Sequence, residues 1–369
     1  MLLSNLKYVD KNFEIKNGNI EIENEKIKAF PFANGGTDMG GLLALPGFVD
    51  IHTHGGDGVD WCDCDEEKLQ KLSLYYAKHA VTSVCPTTMT LPESNLSKIF
   101  ASIEALKGNE CGAYIHGINM EGPYISYEKR GAQNPEYIRP ADTEEFDRLD
   151  KISKILLVDL APETEGALSF SNNVSKKAVC SVAHTSASFD EAKKGFENGF
   201  THATHLFNAM TPFESRKPGV VGAVFDSERV TAELICDGFH LAPATVKLSF
   251  KILGAHRVVA ISDSLSSAGC KDGEYVLGEQ KVIVKNSRAH LEDGTIAGSN
   301  TNLFDEFKNL LSFSIPFTDA LAACTINPAR VIGKDSICGT LETGKNADMI
   351  FVDESMNLKH VMIRGKMVF

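Results

Sequence analysis

The sequence predicts an α/β protein: a (β/α)8 TIM barrel with a small β-sandwich domain built from both chain ends. Three observations point to it. Across roughly 290 central residues, short β-branched runs alternate with stretches of helical period, and there are eight such runs. Both chain ends instead step between apolar and polar residues and are punctuated by glycine. No Gly-rich dinucleotide fingerprint opens a first helix, which disfavours an open doubly wound sheet.

The elements follow in order. LKYVDKNFEIKNGNIEIENEKIKAF reads as strands and turns, with a break expected at KNG. The eight barrel strands are FVDIH, VTSVCPTT, AYIHGIN, KILLVDL, AVCSVAH, FTHATHLF, RVTAELIC and RVVAIS. Between them, DEEKLQKLSLYYAKHA, SNLSKIFASIEALKG, SFDEAKKGFENG and APATVKLSFKILGAH carry helical period, and strands joined by such helices pair in parallel. After the eighth run, Ser264 to Ser299 is Gly-punctuated and is expected to fold back as a hairpin near the barrel mouth. The tail, GTLETGKNADMIFVDESMNLKHVMIRGKMVF, returns to strand chemistry. Chain ends often lie together, so residues 1–46 and 337–369 are assigned to the small domain and 47–336 to the barrel.

Composition narrows the partners. The 369 residues hold 37 Lys+Arg and 49 Asp+Glu, a net charge of −12, with 43% hydrophobic and 23% charged residues. That balance excludes disorder, collagen and coiled coil. A pI near 5.4 repels phosphate backbones, so no nucleic-acid partner is expected. Met1–Asp10 has no basic leader with an apolar run, and nothing approaches about eighteen uninterrupted apolar residues. No membrane partner is expected, and a cytoplasmic location is. The nine scattered cysteines read as free thiols in a reducing compartment, with Cys62 and Cys64 close enough to note as zinc ligands.

The chemistry gathers at strand ends. His52 and His54 close strand one in PGFVDIHTHGGDG, and residues two apart on a strand share a face. Glu121 follows strand three, His184 ends strand five, His205 ends strand six and Asp263 ends strand eight. All six fall on the face where barrel active sites form. Imidazoles with carboxylates and no cysteine suit an open hydrolytic Zn²⁺ or Fe²⁺ site. His202 competes with His205: three apart on a strand, the two point to opposite faces, and spacing alone does not choose. His79, His116, His256, His290 and His360 read as packing or surface residues.

From PGFVDIHTHG to GKNADMIFVD, the chain resembles the N-acetylglucosamine-6-phosphate deacetylases of the amidohydrolase superfamily. MEGPYIS, RGAQNPEYI, LAPE, AHTSAS, THLFNAMTPF, RKPGVVGAVFD, ICDGFHL, ISDS and GTIAGS carry the resemblance. It implies that Glu121, His184 and His205 are the principal metal ligands, which chooses His205 over His202. His52 and His54 match a second metal position kept by part of the family, so one or two divalent ions are expected: zinc or iron, with manganese or cobalt also suitable. Asp263 matches the catalytic aspartate. Asn208, Ala209 and His240 match substrate contacts, Arg216 a contact to the phosphate, and Ala132 and Ala297, Gly298 and Ser299 the loops that close on the sugar. The resemblance implies an amidohydrolase-type barrel, a homodimer, and hydrolysis of an amino-sugar phosphate to acetate and a free amine.

One departure stands out: Gln133 occupies a position that is His in some members, where it polarises the acetyl carbonyl. An amide donates a hydrogen bond but cannot become cationic, so a second ion at His52 and His54 is expected to take over part of that work. Three alternatives remain open: the galacto epimer as substrate, a dihydroorotase-like or D-aminoacylase-like amidohydrolase, and a non-catalytic sugar-phosphate-binding barrel. The second normally needs a carboxylated Lys at the mouth end of strand four, whereas Lys154 lies at the other end.

Overall fold

The computed structural model describes residues 1–32, 35–278 and 280–369. The eight expected strands form one parallel sheet in chain order. They are Phe48–Thr53, Val81–Thr88, Ile118–Glu121 (after a short Tyr114–Ile115), Ile155–Leu160, Val179–Val182, Phe200–Ala203, Thr231–Ile235 and Val258–Ile261. Where strand eight returns to strand one, the Asp263 amide donates to the His52 carbonyl at 3.0 Å. The strands are buried on both faces, which is why they read as near-continuous apolar runs.

Local chemistry sets the helices between them. Asp65 caps Glu66–Lys78 by accepting from the Lys68 amide, and Leu69, Leu72 and Tyr76 bury its inner face. Ser188 and Glu191 form a reciprocal capping box that starts Phe189–Glu197.

The two chain ends meet in one mixed sheet. Leu43–Pro46 pairs antiparallel with Met349–Val352, joining the N-terminal strands to the C-terminal ones. The sheet then curls, because the Ile27 amide donates to the Lys345 carbonyl and the Ala347 amide to the Glu25 carbonyl. Leu3, Ile20, Ile27, Met349, Phe351 and Met362 thereby share one apolar core between the two halves.

One expected turn moves. Ile15–Glu23 runs straight through KNG, and the chain reverses at Asp10–Glu14 instead. There the Asp10 carboxylate accepts from the Asn12 and Glu14 amides, a local turn that outcompetes the glycine. Gly18 serves within the strand, where a Cβ would come 3.1 Å from the Tyr8 ring.

The segment after strand eight folds back as expected, but as three strands: Gly273–Leu277, Gln280–Lys285 and Arg288–Leu291. It covers the mouth, with Gln280 Nε2 donating to the Ala132 carbonyl at 2.7 Å. Among the described residues no helix is long and apolar enough to cross a membrane.

Candidate active site

Six side chains converge where the barrel strands end. His52 lies in strand one and His54 just beyond it, Glu121 ends strand three, and His184, His205 and Asp263 each sit two residues past their strands. These last three adopt positive φ (+43°, +30° and +46°), a conformation costly for residues with a Cβ and concentrated at functional sites. It turns their side chains inward. The backbone is held there by bonds such as that from the Ser299 amide to the Asp263 carbonyl at 2.7 Å.

Glu121 is shared by two ligand groups, His52–His54–Glu121 and Glu121–His184–His205. Glu121 Oε1 lies 3.1 Å from His184 Nε2 and 3.2 Å from His205 Nε2, and the two nitrogens are 3.2 Å apart. A tetrahedral ion with ligands at about 2.0–2.2 Å sets its donors roughly 3.3–3.6 Å apart, so this triangle needs to open only by a few tenths of an ångström to hold one. The second group is slightly looser. His54 Nε2 lies 3.4 Å from Glu121 Oε2 and 3.3 Å from Asp263 Oδ1, and His52 Nε2 lies 3.5 Å from Glu121 Oε1. His184 Nδ1 donates to the Lys129 carbonyl at 2.9 Å, which leaves its Nε2 lone pair facing inward as ligation requires. Cys62 and Cys64 take no part in either group.

The electrostatics favour a cation. Burial opposes charge on His54, yet hydrogen bonds and charge from Asp263 and Glu121 push its pKa up to about 10. Burial likewise opposes the Glu121 carboxylate, but His52, His184 and His205 hold it well below the usual range. Burial, joined by the charges of Glu233 and Glu121, drives Asp159 well upward against the pull of His52. Glu121, held ionised by these imidazoles, thus places a negative charge at the point where their nitrogens meet, while Asp159 is held towards its neutral form.

In front of these groups lies a cavity of about 330 Å³. Ala132, Gln133, Asn208, Ala209, His240 and Gly298 line it. Ala297 and Ser299 lie buried on either side of Gly298, whose added Cβ would fall 2.7 Å from the Asp263 carbonyl. His240 Nδ1 is engaged by Asp237 Oδ2 at 2.8 Å, which leaves Nε2 for a ligand. Gln133 is engaged at both ends: Oε1 accepts from the Thr90 amide at 2.7 Å and Nε2 donates to Glu121 Oε2 at 2.5 Å. Its amide therefore orients the shared carboxylate. Arg216 is not brought to this cavity; it is exposed and borders a separate hollow with Ser188, Phe189 and Lys217.

The expectation for His202 changes. Strand six ends at Ala203 and His205 follows in the left-handed turn, so strict alternation does not link the two. His205 joins Glu121 and His184 in a group that could hold a metal, while His202 reaches the barrel interior and contacts Glu233. Glu233 and Asp159 were not singled out from sequence, although an acidic residue inside each of the apolar runs TAELI and ILLVDL was a usable signal. The apolar wall of Phe207, Ile235, Leu265 and Leu277 carried no such mark.

Comparison with known proteins identifies the chain's relatives. The amidohydrolase family matches residues 43–368. N-acetylglucosamine-6-phosphate deacetylase of Bacillus subtilis is 32% identical over 384 residues, covering 100% of this chain and 97% of its own. N-acetylgalactosamine-6-phosphate deacetylase of Escherichia coli O157:H7 is also 32% identical, covering 90% and 89%. Among solved structures, an N-acetyl-D-glucosamine-6-phosphate deacetylase mutant from Mycobacterium smegmatis, in complex with N-acetyl-D-glucosamine-6-phosphate, superposes with a TM-score of 0.92 at 28% identity, covering 100% and 99%. The N-acetylglucosamine-6-phosphate deacetylase of Thermotoga maritima gives 0.91 at 32% identity, with the same coverage.

Proposed function

The chain belongs to the amidohydrolase family, and on that footing we propose that it hydrolyses N-acetylglucosamine 6-phosphate to glucosamine 6-phosphate and acetate, in amino-sugar catabolism. The observation that carries this is the Glu121–His184–His205 triangle, with Asp263 beside it and Asn208 and His240 on the wall of the same cavity. The enzyme is metal-dependent, as its family is. Zinc or iron suits the ligands best, with manganese and cobalt also compatible. The shared Glu121 supports two ions, one held with His184 and His205 and one with His52 and His54. The enzyme works in the cytoplasm as a homodimer.

Glu121 with His184 and His205, and with His52 and His54, would hold the divalent ions, which would supply Lewis acidity to acidify water to a pKa of about 7 and to polarise the acetyl carbonyl. Asp263 takes the proton of the attacking water and returns it to the nitrogen as the C–N bond breaks, so that the amine does not leave as an anion. Gln133 holds Glu121 in place, and Leu265 and Leu277 limit the water around the acetyl group. His240 and Asn208 orient the sugar phosphate.

Arg216 supplies the planar fork that grips phosphate oxygens. Within one subunit its loop opens on another hollow, so in the homodimer it serves the cavity of the neighbouring subunit. The test is acetate release from the two epimeric 6-phosphates and from the unphosphorylated sugars. A galacto preference is the second reading, supported by a relative of that specificity at equal identity. Failure of both 6-phosphates to release acetate rejects the proposed function.

A further inference from the structure

Behind the ligands lies a layer of buried polar groups that the proposed reaction leaves without a role. Glu233, on barrel strand seven, is fully buried. Its Oε2 accepts from His52 Nδ1 at 3.0 Å and from the His205 amide at 3.1 Å, and its Oε1 accepts from His202 Nε2 at 3.2 Å. His202 is anchored in turn through Nδ1 to the Thr231 hydroxyl at 2.6 Å. His202 and Thr231 are register partners across strands six and seven, so the pair is built into the barrel wall.

The tautomer of His52 follows from this contact. A carboxylate only accepts, so the proton of a neutral His52 ring sits on Nδ1 and the lone pair on Nε2. That Nε2 is buried without a hydrogen-bond partner, 3.5 Å from Glu121 Oε1 and 3.6 Å from Asp263 Oδ1. His184 in the other ligand group has its tautomer set by the Lys129 carbonyl instead. Glu233 touches the ring of His52 but only the backbone of His205, so its charge bears chiefly on the His52–His54 side.

We propose that Glu233, held by His202, is a positioning residue that makes His52 a ligand through Nε2 and so decides whether the site takes a second divalent ion. This rests on the two-ion reading above. The same barrel without the pair keeps the ion of Glu121, His184 and His205 and loses the other. Outer partners of ligand imidazoles are typically worth about 10–100-fold in metal affinity.

The experiment counts bound zinc by elemental analysis across a series of buffered free-zinc concentrations, for the unaltered protein, Glu233→Gln and His202→Gln. Glu233→Gln keeps the shape and an oxygen that can accept from both the His205 amide and His52 Nδ1, while removing the charge that makes the His52 ring a stronger ligand. The unaltered protein is expected to take two ions. In both variants the second ion should need about 10–100-fold more free zinc while the first shifts by less than about threefold. Nitrogen-15 NMR of the zinc-loaded proteins should show His52 protonated on Nδ1 and ligated through Nε2 in the unaltered chain, with Nε2 unligated at the same free zinc in Glu233→Gln. Equal second-ion affinity in all three proteins overturns this inference and leaves the two-ion reading standing. So does parallel weakening of both ions, or a failure of both variants to fold, which would assign the pair to barrel stability. A single ion in the unaltered protein at every zinc concentration removes the two-ion reading, and the inference with it.

Discussion

Replacing Gln133 with Met fills nearly the same volume and removes its hydrogen bonds to the Thr90 amide, Glu121 and the Met89 sulfur. The Thr90 amide loses its acceptor at 2.7 Å, and Glu121 Oε2 loses its donor at 2.5 Å while keeping His54 Nε2 at 3.4 Å. Gln133 is 2% exposed, so water cannot replace either partner without rearrangement. An unsatisfied buried amide costs about 1–3 kcal/mol. For a chain of this length that lowers Tm by roughly 1–4 °C in the metal-free protein. The less constrained Glu121 should weaken metal binding by about 10–100-fold, as lost outer-shell hydrogen bonds do. The assay pairs calorimetry of the metal-free protein with acetate release across a metal titration. Turnover of Gln133→Met should fall at limiting metal and recover at high metal, because the amide acts through Glu121. Unchanged metal affinity and Tm with a kcat that excess metal does not restore would refute this and place the amide on the substrate carbonyl.

Three further outcomes are expected. Asp263→Asn should retain metal and lose about 10²–10⁴ in kcat, the usual worth of a positioned proton carrier; near-normal turnover rejects that role. Arg216→Ala should raise KM for the phosphorylated sugar and spare the unphosphorylated one. Mixing Arg216→Ala with Asp263→Asn subunits should restore one intact site per mixed dimer, and mixtures that stay inactive rule out a contact across the interface. Asp348, at the junction of barrel and small domain, is pushed up to about 6 from 3.8 by burial, against the Arg364 amide and charge. Because the folded-state pKa is raised, its contribution to stability is fully present below about pH 3.8 and lost as pH rises through about 6. A rise of about two pH units is worth up to roughly 3 kcal/mol. Asp348→Asn should therefore be more stable than the unaltered protein by up to about that amount at pH 7.5, with the gap closing near pH 4 in denaturant unfolding; a gap independent of pH contradicts this.

Much of this was legible in the sequence, for a physical reason. Barrel strands buried on both faces must be apolar, so polar residues at their ends stand out: His52 after FVDI, Glu121 after INM and Asp263 after VVAIS. Turns were less legible. The reversal at Asp10 depends on a side chain bonding to amides two and four residues on, which competes invisibly with a nearby glycine. Strand periodicity also fails where a strand stops. His202 and His205 looked exclusive only while strand six was taken to reach both. Contacts between elements were hidden altogether. Nothing along the chain joins Gln133 to Glu121 or Glu233 to His52, because those pairs meet only when the barrel closes.

The most direct measurement is acetate release from N-acetylglucosamine 6-phosphate by metal-loaded protein, with Glu121→Gln assayed beside it and the free amine quantified in parallel. One acetate per free amine, with turnover lost in Glu121→Gln together with bound metal, is the predicted result. A folded, metal-loaded protein that binds the sugar phosphate and releases no acetate would contradict the account.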